Sequence, residues 1–163
     1  MLLAASGGAS ALAVSGRQLI ASVRRQPRIL KLIPYWIQRA DLSTAEFDPV
    51  DVKAAILAYE SHPWHRELAL EHDREIQDKE TCPAGIGFVA APGHILHICP
   101  GHDTALIHYH FDRVRRILGL FSVRKAEVLT APAFPSANIP ELIERFFQDD
   151  HAFFCQKLER AAA

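Results

Sequence analysis

Hydrophobic and polar residues alternate in short runs through the middle of the chain, and this pattern predicts an antiparallel sheet. Pro92-Gly93 and Pro100-Gly101 separate the runs as turn signals. The predicted strands run from Ile86 to Ala90, from His94 to Cys99 and from Thr104 to Phe111, with a fourth from Arg124 to Thr130.

Apolar residues at helical spacing lie on both sides of these strands. Asp48-Pro49 predicts a helix start, because aspartate caps helices and proline suits the first helical turn. Ser61-His62-Pro63 ends that helix, since proline disfavours helical geometry at the residue before it. Further helices are predicted from Trp64 to Lys79, from Asp112 to Phe121 and from Pro140 to about Glu159, the last with a weak point at Asp149-Asp150.

These elements predict an α+β fold with two N-terminal helices, a small antiparallel sheet of three to four strands and a long C-terminal helix. The 163 residues, of which 49% are hydrophobic, have the size and composition of one globular domain. We place that domain at residues 41–163. Residues 1–40 are predicted to form a basic, apolar N-terminal arm.

The predicted register decides which side chains share a face of the sheet. With turns of even length, Val89 lies opposite Leu96 and His97 lies opposite Leu106. One face then holds apolar residues suited to a core, namely Val89, Leu96, Ile98, Ala105, Ile107, Tyr109 and Phe111. The other face holds Phe88, Ile95, His97, Cys99, Leu106, His108 and His110.

Imidazole and thiol groups concentrate in this region, since residues 82–110 contain two of the three cysteines and five of the nine histidines. His97 and Cys99 share one side of a strand, as do His108 and His110 on the next, because side chains alternate with period two. Two imidazoles and a thiolate suit zinc or another transition metal. These four residues are therefore the predicted metal ligands of a metalloprotein, which could be a hydrolase. The alternative is a histidine-rich face whose rings bond to backbone or solvent.

Two cysteines precede proline, in Cys82-Pro83 and Cys99-Pro100. Such pairs occur in haem-responsive sequences, where the thiolate is an axial ligand. Cys82 and Cys99 are thus candidate haem contacts, or partners in a reversible disulfide of a redox-responsive regulator. The same dipeptides also fit ordinary turn geometry at strand ends.

Charge is distributed unevenly along the chain, although the formal net charge is only −1. Residues 1–40 contain six basic residues and no acid, whereas residues 41–80 contain eleven acids and four bases. The arm therefore suits a protein partner or an anionic membrane surface, contacted through residues 17–40. A second basic run, from Arg113 to Lys125, is predicted to be a solvated basic surface, because Phe111 and Phe121 fit the core better than a nucleic-acid contact. Nucleic acid is accordingly the disfavoured partner.

No sequence motif names a reaction, so the chain's status as an enzyme stays open. The leading hypothesis is a small intracellular binding protein that contacts its partner through the N-terminal arm. Three cysteines, an odd number without the spacing of a disulfide framework, favour the cytoplasm. An acid-free N-terminus with arginine and serine also resembles an organelle transit peptide, so organelle targeting and peripheral membrane binding are the alternatives.

Overall fold

Six strands form one antiparallel sheet within residues 31–117 and 121–161, which are the residues that the computed structural model describes. The strands are β1 (Ile33–Gln38), β2 (Thr44–Val50), β3 (Gly85–Ala91), β4 (His94–Pro100), β5 (Thr104–Ile117) and β6 (Phe121–Pro135). The helices are α1 (Val52–Ser61), α2 (Trp64–Ile76), α3 (Ile139–Phe147) and α4 (His151–Ala161). Across the sheet the order is β2-β1-β3-β4-β5-β6.

The α+β class agrees with the sequence, but the predicted sheet of three to four strands and the long C-terminal helix are wrong. The sheet gains two strands before α1, because the apolar run around Ile33 and Ile37 pairs on both sides as β1. The C-terminal segment breaks into α3 and α4 at Asp149, whose φ is +56°. The Asp150 carboxylate then accepts the backbone N–H of Phe153 at 3.1 Å, which starts α4 afresh.

Asp51, not Asp48, caps the first helix. Asp48 and Pro49 belong to β2, and the Asp51 carboxylate accepts the backbone N–H of Ala54 at 2.9 Å. The sequence correctly predicted an aspartate cap, but placed it three residues too early. The next helix, α2, is anchored by Glu67, whose buried carboxylate accepts the backbone N–H of Ala40 at 3.3 Å.

The predicted helix from Asp112 to Phe121 is wrong, because β5 and β6 continue as one long hairpin through this segment. Val114 and Val123 lie on its two strands, and β-branched residues favour strands over helices. Arg113, Arg115 and Arg116 thus lie on a strand of the hairpin instead of a helix. Arg124 and Lys125 lie on the other strand, as the sequence predicted.

The sequence predicted the two faces of β3 the wrong way round. Phe88 pairs with Leu96, so Phe88 enters the core and Val89 lies on the opposite face, one residue away from the predicted register. The β4–β5 register differs from the prediction by two residues, which keeps every face and sets His97 directly opposite His108.

The hydrophobic core lies between one face of the sheet and helices α1, α3 and α4. Its largest fully buried side chains include Tyr109, Phe88, Phe134, Phe146 and Phe154. We term this face the core face and the opposite one the outer face. None of the helices in the described residues has the length and apolarity needed to cross a membrane.

Candidate functional site

A row of rings crosses the outer face of the sheet. The register sets Trp36, Gly87, His97, His108 and Thr130 side by side on successive strands. The ring centroids of Trp36 and His97 are 4.7 Å apart, and those of His97 and His108 are 5.9 Å apart. His108 Nδ1 lies 3.1 Å from Thr130 Oγ1, which ends the row. The predicted imidazole face therefore exists as a packed ladder.

Two glycines of β3 make room for this ladder. A Cβ atom on Gly87 would lie 2.2 Å from carbons of the Trp36 indole. A Cβ atom on Gly85 would lie 2.6 Å from His97 Nε2. The missing side chains let both rings approach the backbone of β3 closely.

Burial keeps the central pair of this face neutral. Desolvation, followed by the nearby charges of His108 and His110, lowers the pKa of His97 to about 4. Burial, followed by the charge of Glu71, raises the pKa of Cys99 to about 12. Since Cys99 Sγ lies 3.5 Å from His97 Nε2, the two form an uncharged thiol–imidazole contact at neutral pH.

The predicted metal site of His97, Cys99, His108 and His110 is wrong. In the described parts of the chain, no group of three or more His, Cys, Asp or Glu side chains could hold a metal ion. The rings stand beside one another instead of converging, with 6.5 Å between the centroids of His108 and His110.

Cys82 and Cys99, the candidate haem or redox pair, are both thiols in this structure. Gln38 Nε2 donates to Cys82 Sγ at 2.7 Å, and the Cys82 thiol lies 3.3 Å from the Arg39 carbonyl oxygen. Cys99 is buried, and its raised pKa disfavours the thiolate that haem ligation needs. Haem binding and disulfide formation by this pair stay predictions.

A second region of chemical interest is the far end of the β5–β6 hairpin. The pairing of β4 with β5 ends at Ile95 and His110, whereas β5 and β6 continue through seven more pairs, from Phe111↔Glu127 to Ile117↔Phe121. We term residues 111–117 and 121–127 the ribbon. Seven residues of extended chain span roughly 20 Å.

Beyond Phe111 the ribbon has basic side chains, whereas the rest of the sheet has apolar side chains on its core face. The side chains of residues 112–114 and 122–126 are exposed at every position, so both faces of the ribbon meet solvent there. Its basic residues are Arg113, Arg115, Arg116, Arg124 and Lys125, and no acid lies between residues 113 and 125. At its base, Arg113 Nε lies 3.2 Å from Glu127 Oε2.

A third arrangement is a hydrogen-bonded chain of four side chains on the core side of the sheet. His94 Nε2 lies 2.9 Å from Tyr109 Oη, and Tyr109 Oη lies 3.0 Å from His151 Nδ1. His151 Nε2 in turn lies 3.3 Å from Cys155 Sγ, one turn further along α4. We term these four residues the His–Tyr–His–Cys chain.

Open space lies on both sides of this chain. A cleft of about 310 Å³ is lined by His94, Tyr109, His151 and the ribbon's first residues. Cys155 borders a separate surface groove of about 690 Å³. Burial lowers the pKa of His94 and raises that of Tyr109, so a neutral imidazole faces a neutral phenol at pH 7.

The comparisons with known proteins are negative. No family model, no curated protein and no solved structure matches the chain. Geometry and charge therefore carry the functional conclusions that follow.

Half of the His–Tyr–His–Cys chain has a sequence signal that our predictions did not use. His151 and Cys155 are four residues apart in a helical segment, a spacing that brings side chains together. The other half has no such signal, because Tyr109 fits the core pattern and His94 reaches it only through the β4–β5 register. The exposed ribbon was missed for a different reason, namely the wrong helix prediction for residues 112–121.

Proposed function

We propose that this protein is a small binding protein whose ribbon contacts the phosphate backbone of double-stranded nucleic acid. The observation that carries the proposal is the ribbon's charge: five basic residues and no acid between residues 113 and 125, on a two-stranded hairpin beyond the body of the sheet. Lys and Arg contacts to phosphate supply most of the sequence-independent affinity of nucleic-acid-binding proteins.

The shape of the ribbon favours a duplex groove. Paired strands lie about 4.8 Å apart, and the major groove of B-DNA is about 12 Å wide, enough to admit a two-stranded ribbon. Arg124 and Lys125 are consecutive residues of one strand, so their side chains leave opposite faces. Charge on both faces suits an element flanked by two phosphate backbones.

The same charges would attract an anionic membrane, but the ribbon's pattern fits that surface less well. Elements that lie on a membrane place apolar and basic residues on opposite faces. Here the described pairs Arg113↔Lys125 and Val114↔Arg124 put a base on each face. The sequence disfavoured nucleic acid as a partner. The proposal differs because residues 111–117 and 121–127 pair as two strands, so the bases lie on a hairpin and not on a helix and a separate strand.

The separation of acidic and basic residues favours one orientation of the protein as it approaches nucleic acid. Eleven of the nineteen acids lie in residues 41–80, which include α1 and α2. Phosphates repel that region and attract the ribbon, so electrostatic steering favours approach with the ribbon first. The small net charge of −1 conceals this separation.

A matched pair of variants tests the proposal. Replacing Arg115, Arg116, Arg124 and Lys125 by Gln removes four ribbon charges and keeps the Arg113–Glu127 ion pair. We expect affinity for a duplex of about 25 base pairs at low salt to fall by about a hundredfold or more. The control replaces four exposed bases elsewhere, Lys53, Arg66, Lys79 and Arg160, and is expected to change affinity by less than about threefold.

Equal losses in the two variants would mean that net charge, not the ribbon, governs binding. Loss of affinity for phosphatidylserine vesicles but not for the duplex would assign the ribbon to membranes instead. Far-UV circular dichroism of both variants verifies that the fold is retained.

We also propose that the basic arm, residues 17–40, is a second contact element, toward a protein partner or an anionic membrane surface. Its six bases without an acid support this role. Residues 33–38 form β1 inside the sheet, so the proper test removes residues 1–30 only. Vesicle association that is unchanged by this deletion would contradict the membrane role.

The three cysteines and the absence of a disulfide among the described residues support a reducing compartment such as the cytoplasm.

A further inference from the structure

We propose that Cys155 is a modification site that forms mixed disulfides with low-molecular-weight disulfides, with His151 as the acceptor of its thiol proton. The inference is independent of the ribbon and of nucleic-acid binding. It rests on the His–Tyr–His–Cys chain and on the surface groove that Cys155 borders.

The reactive form of cysteine is the thiolate, and a neighbouring imidazole that takes the thiol proton favours it. His151 Nε2 lies 3.3 Å from Cys155 Sγ, within the range of a hydrogen bond to sulfur. Both residues lie on α4, and their spacing of four residues holds them on the same side of the helix. Thiol and base are therefore positioned before any reagent arrives.

The other members of the His–Tyr–His–Cys chain fix the orientation and the tautomer of His151. Because burial favours a neutral imidazole at His94, its Nε2 can accept the Tyr109 O–H across 2.9 Å. Tyr109 Oη then accepts the Nδ1–H of His151 across 3.0 Å, which leaves Nε2 of His151 to accept the Cys155 proton. Tyr109 is thus a positioning residue for His151.

The groove beside Cys155 admits a small reagent. Its walls include Arg145, Phe153 and Gln156, and its volume is about 690 Å³. Arg145 adds a cation to the same groove, although it lies 3.3 Å from the Asp150 carboxylate. Asp150 also lines the groove, so both charge signs are present, and glutathione disulfide, which carries amines as well as carboxylates, is a suitable probe.

The reaction needs no component other than the disulfide. The Cys155 thiolate attacks one sulfur of the reagent, a new S–S bond forms, and the reagent's own S–S bond breaks. The departing thiolate takes the proton that His151 holds and leaves as a thiol. Cys155 is oxidised to the mixed disulfide, and half of the reagent is reduced.

The other two cysteines serve as internal standards. Cys82 is half-buried, and its contacts are Gln38 and the Arg39 carbonyl instead of an imidazole. Cys99 is 6% exposed, so we expect it to react only when the protein unfolds. A lack of reaction at Cys99 therefore verifies that the protein is folded. All three thiols can be followed in one sample by peptide mapping.

The test incubates the full-length protein with glutathione disulfide and measures each mixed disulfide by mass spectrometry over time. We expect Cys155 to react at least about tenfold faster than Cys82, and His151→Ala to abolish that advantage. Imidazole in the buffer should restore part of the rate to His151→Ala, because it supplies the missing base. A Cys155 rate equal to that of Cys82, or unchanged by His151→Ala, would overturn the proposal.

Tyr109→Phe tests the positioning role, since it keeps the buried ring and removes the hydroxyl. We expect it to slow Cys155 about threefold when His151 is present and to have no effect in the His151→Ala background. Equal effects in both backgrounds would assign Tyr109 a purely structural part.

Discussion

Residues 105–111 of β5 alternate between buried and half-buried side chains, whereas residues 112–114 and 122–126 are exposed at every position. Both stretches belong to the same antiparallel hairpin. The first lies in the body of the sheet, where four further strands and three helices surround it, and the second is the ribbon. The difference shows that backbone pairing alone does not create a core, and that the ribbon's sequence is suited to solvent or a charged partner.

The chemistry of the two regions contrasts in the same way. The body holds the histidines and cysteines of residues 82–110, yet burial leaves His97 and Cys99 neutral and packed. The ribbon holds arginine and lysine, of which Arg113, Arg124 and Lys125 are exposed. His97 and Cys99 therefore pack in the sheet, and the basic residues of the ribbon carry the proposed function.

The sharpest test of the body compares two neighbours on β3. Phe88 is fully buried, against Tyr35 and Phe147, while Val89 is half-buried on the outer face. We expect Phe88→Ala to lower the free energy of unfolding by about 3–5 kcal/mol and Val89→Ala by about 1 kcal/mol or less. Urea unfolding of both variants measures the difference. The reverse order would restore the register predicted from the sequence.

The predicted register of β3 against β4 is wrong by one residue, and this error reversed the two faces of β3. Phe88 and Val89 are both apolar, so the alternation in β3 does not choose a face, and the observed pairing carries a register shift between Val89 and Ala91. In β4 and β5 the imidazoles of His97, His108 and His110 alternate with apolar residues such as Leu96, Ile98 and Ile107, and this alternation marks the outer face. There the sequence predicted both faces correctly.

The ribbon and the His–Tyr–His–Cys chain could not be predicted from single segments of the sequence. The ribbon depends on pairing between residues 111–117 and 121–127, and its valines also fit a helical stripe. The His–Tyr–His–Cys chain joins β4, β5 and α4, which only the tertiary fold brings together. The ends of α1 and α2 were predicted to within three residues, because proline and capping signals are local.

Acid should destabilise the body through His97. Its pKa is about 4 in the folded protein, against the ordinary 6.5, so the unfolded chain binds the proton more tightly. The stability from neutral His97 is fully present above pH 6.5 and is lost as the pH falls toward 4, by about 2–3 kcal/mol. His97→Leu should flatten this part of the stability–pH profile.

Chemical unfolding at several pH values between about 4 and 7 measures the effect. His65→Gln, on the exposed surface of α2, is the control and should keep the wild-type slope. A His97→Leu profile parallel to the wild type would contradict this account, because it would show that His97 has the same pKa in the folded and unfolded states.

The smallest effect concerns the cap of α1. Removing the Asp51 carboxylate with Asp51→Ala should cost about 1 kcal/mol, because the N–H of Ala54 loses its partner. Asp48→Ala, at the exposed residue that the sequence suggested as the cap, should change stability by less than about 0.5 kcal/mol. Thermal unfolding distinguishes the two variants. None of these body variants should alter duplex affinity while the protein remains folded.

The most direct test of the ribbon's role is the salt dependence of duplex binding. Each phosphate contact contributes about 0.9 to the slope of log affinity against log salt concentration, so four ribbon bases account for a slope of about 3.6. We predict that the variant of Arg115, Arg116, Arg124 and Lys125 loses a slope of this size, while the control variant with four changes elsewhere keeps the wild-type slope. Equal slopes in the wild-type protein and the ribbon variant would contradict the account.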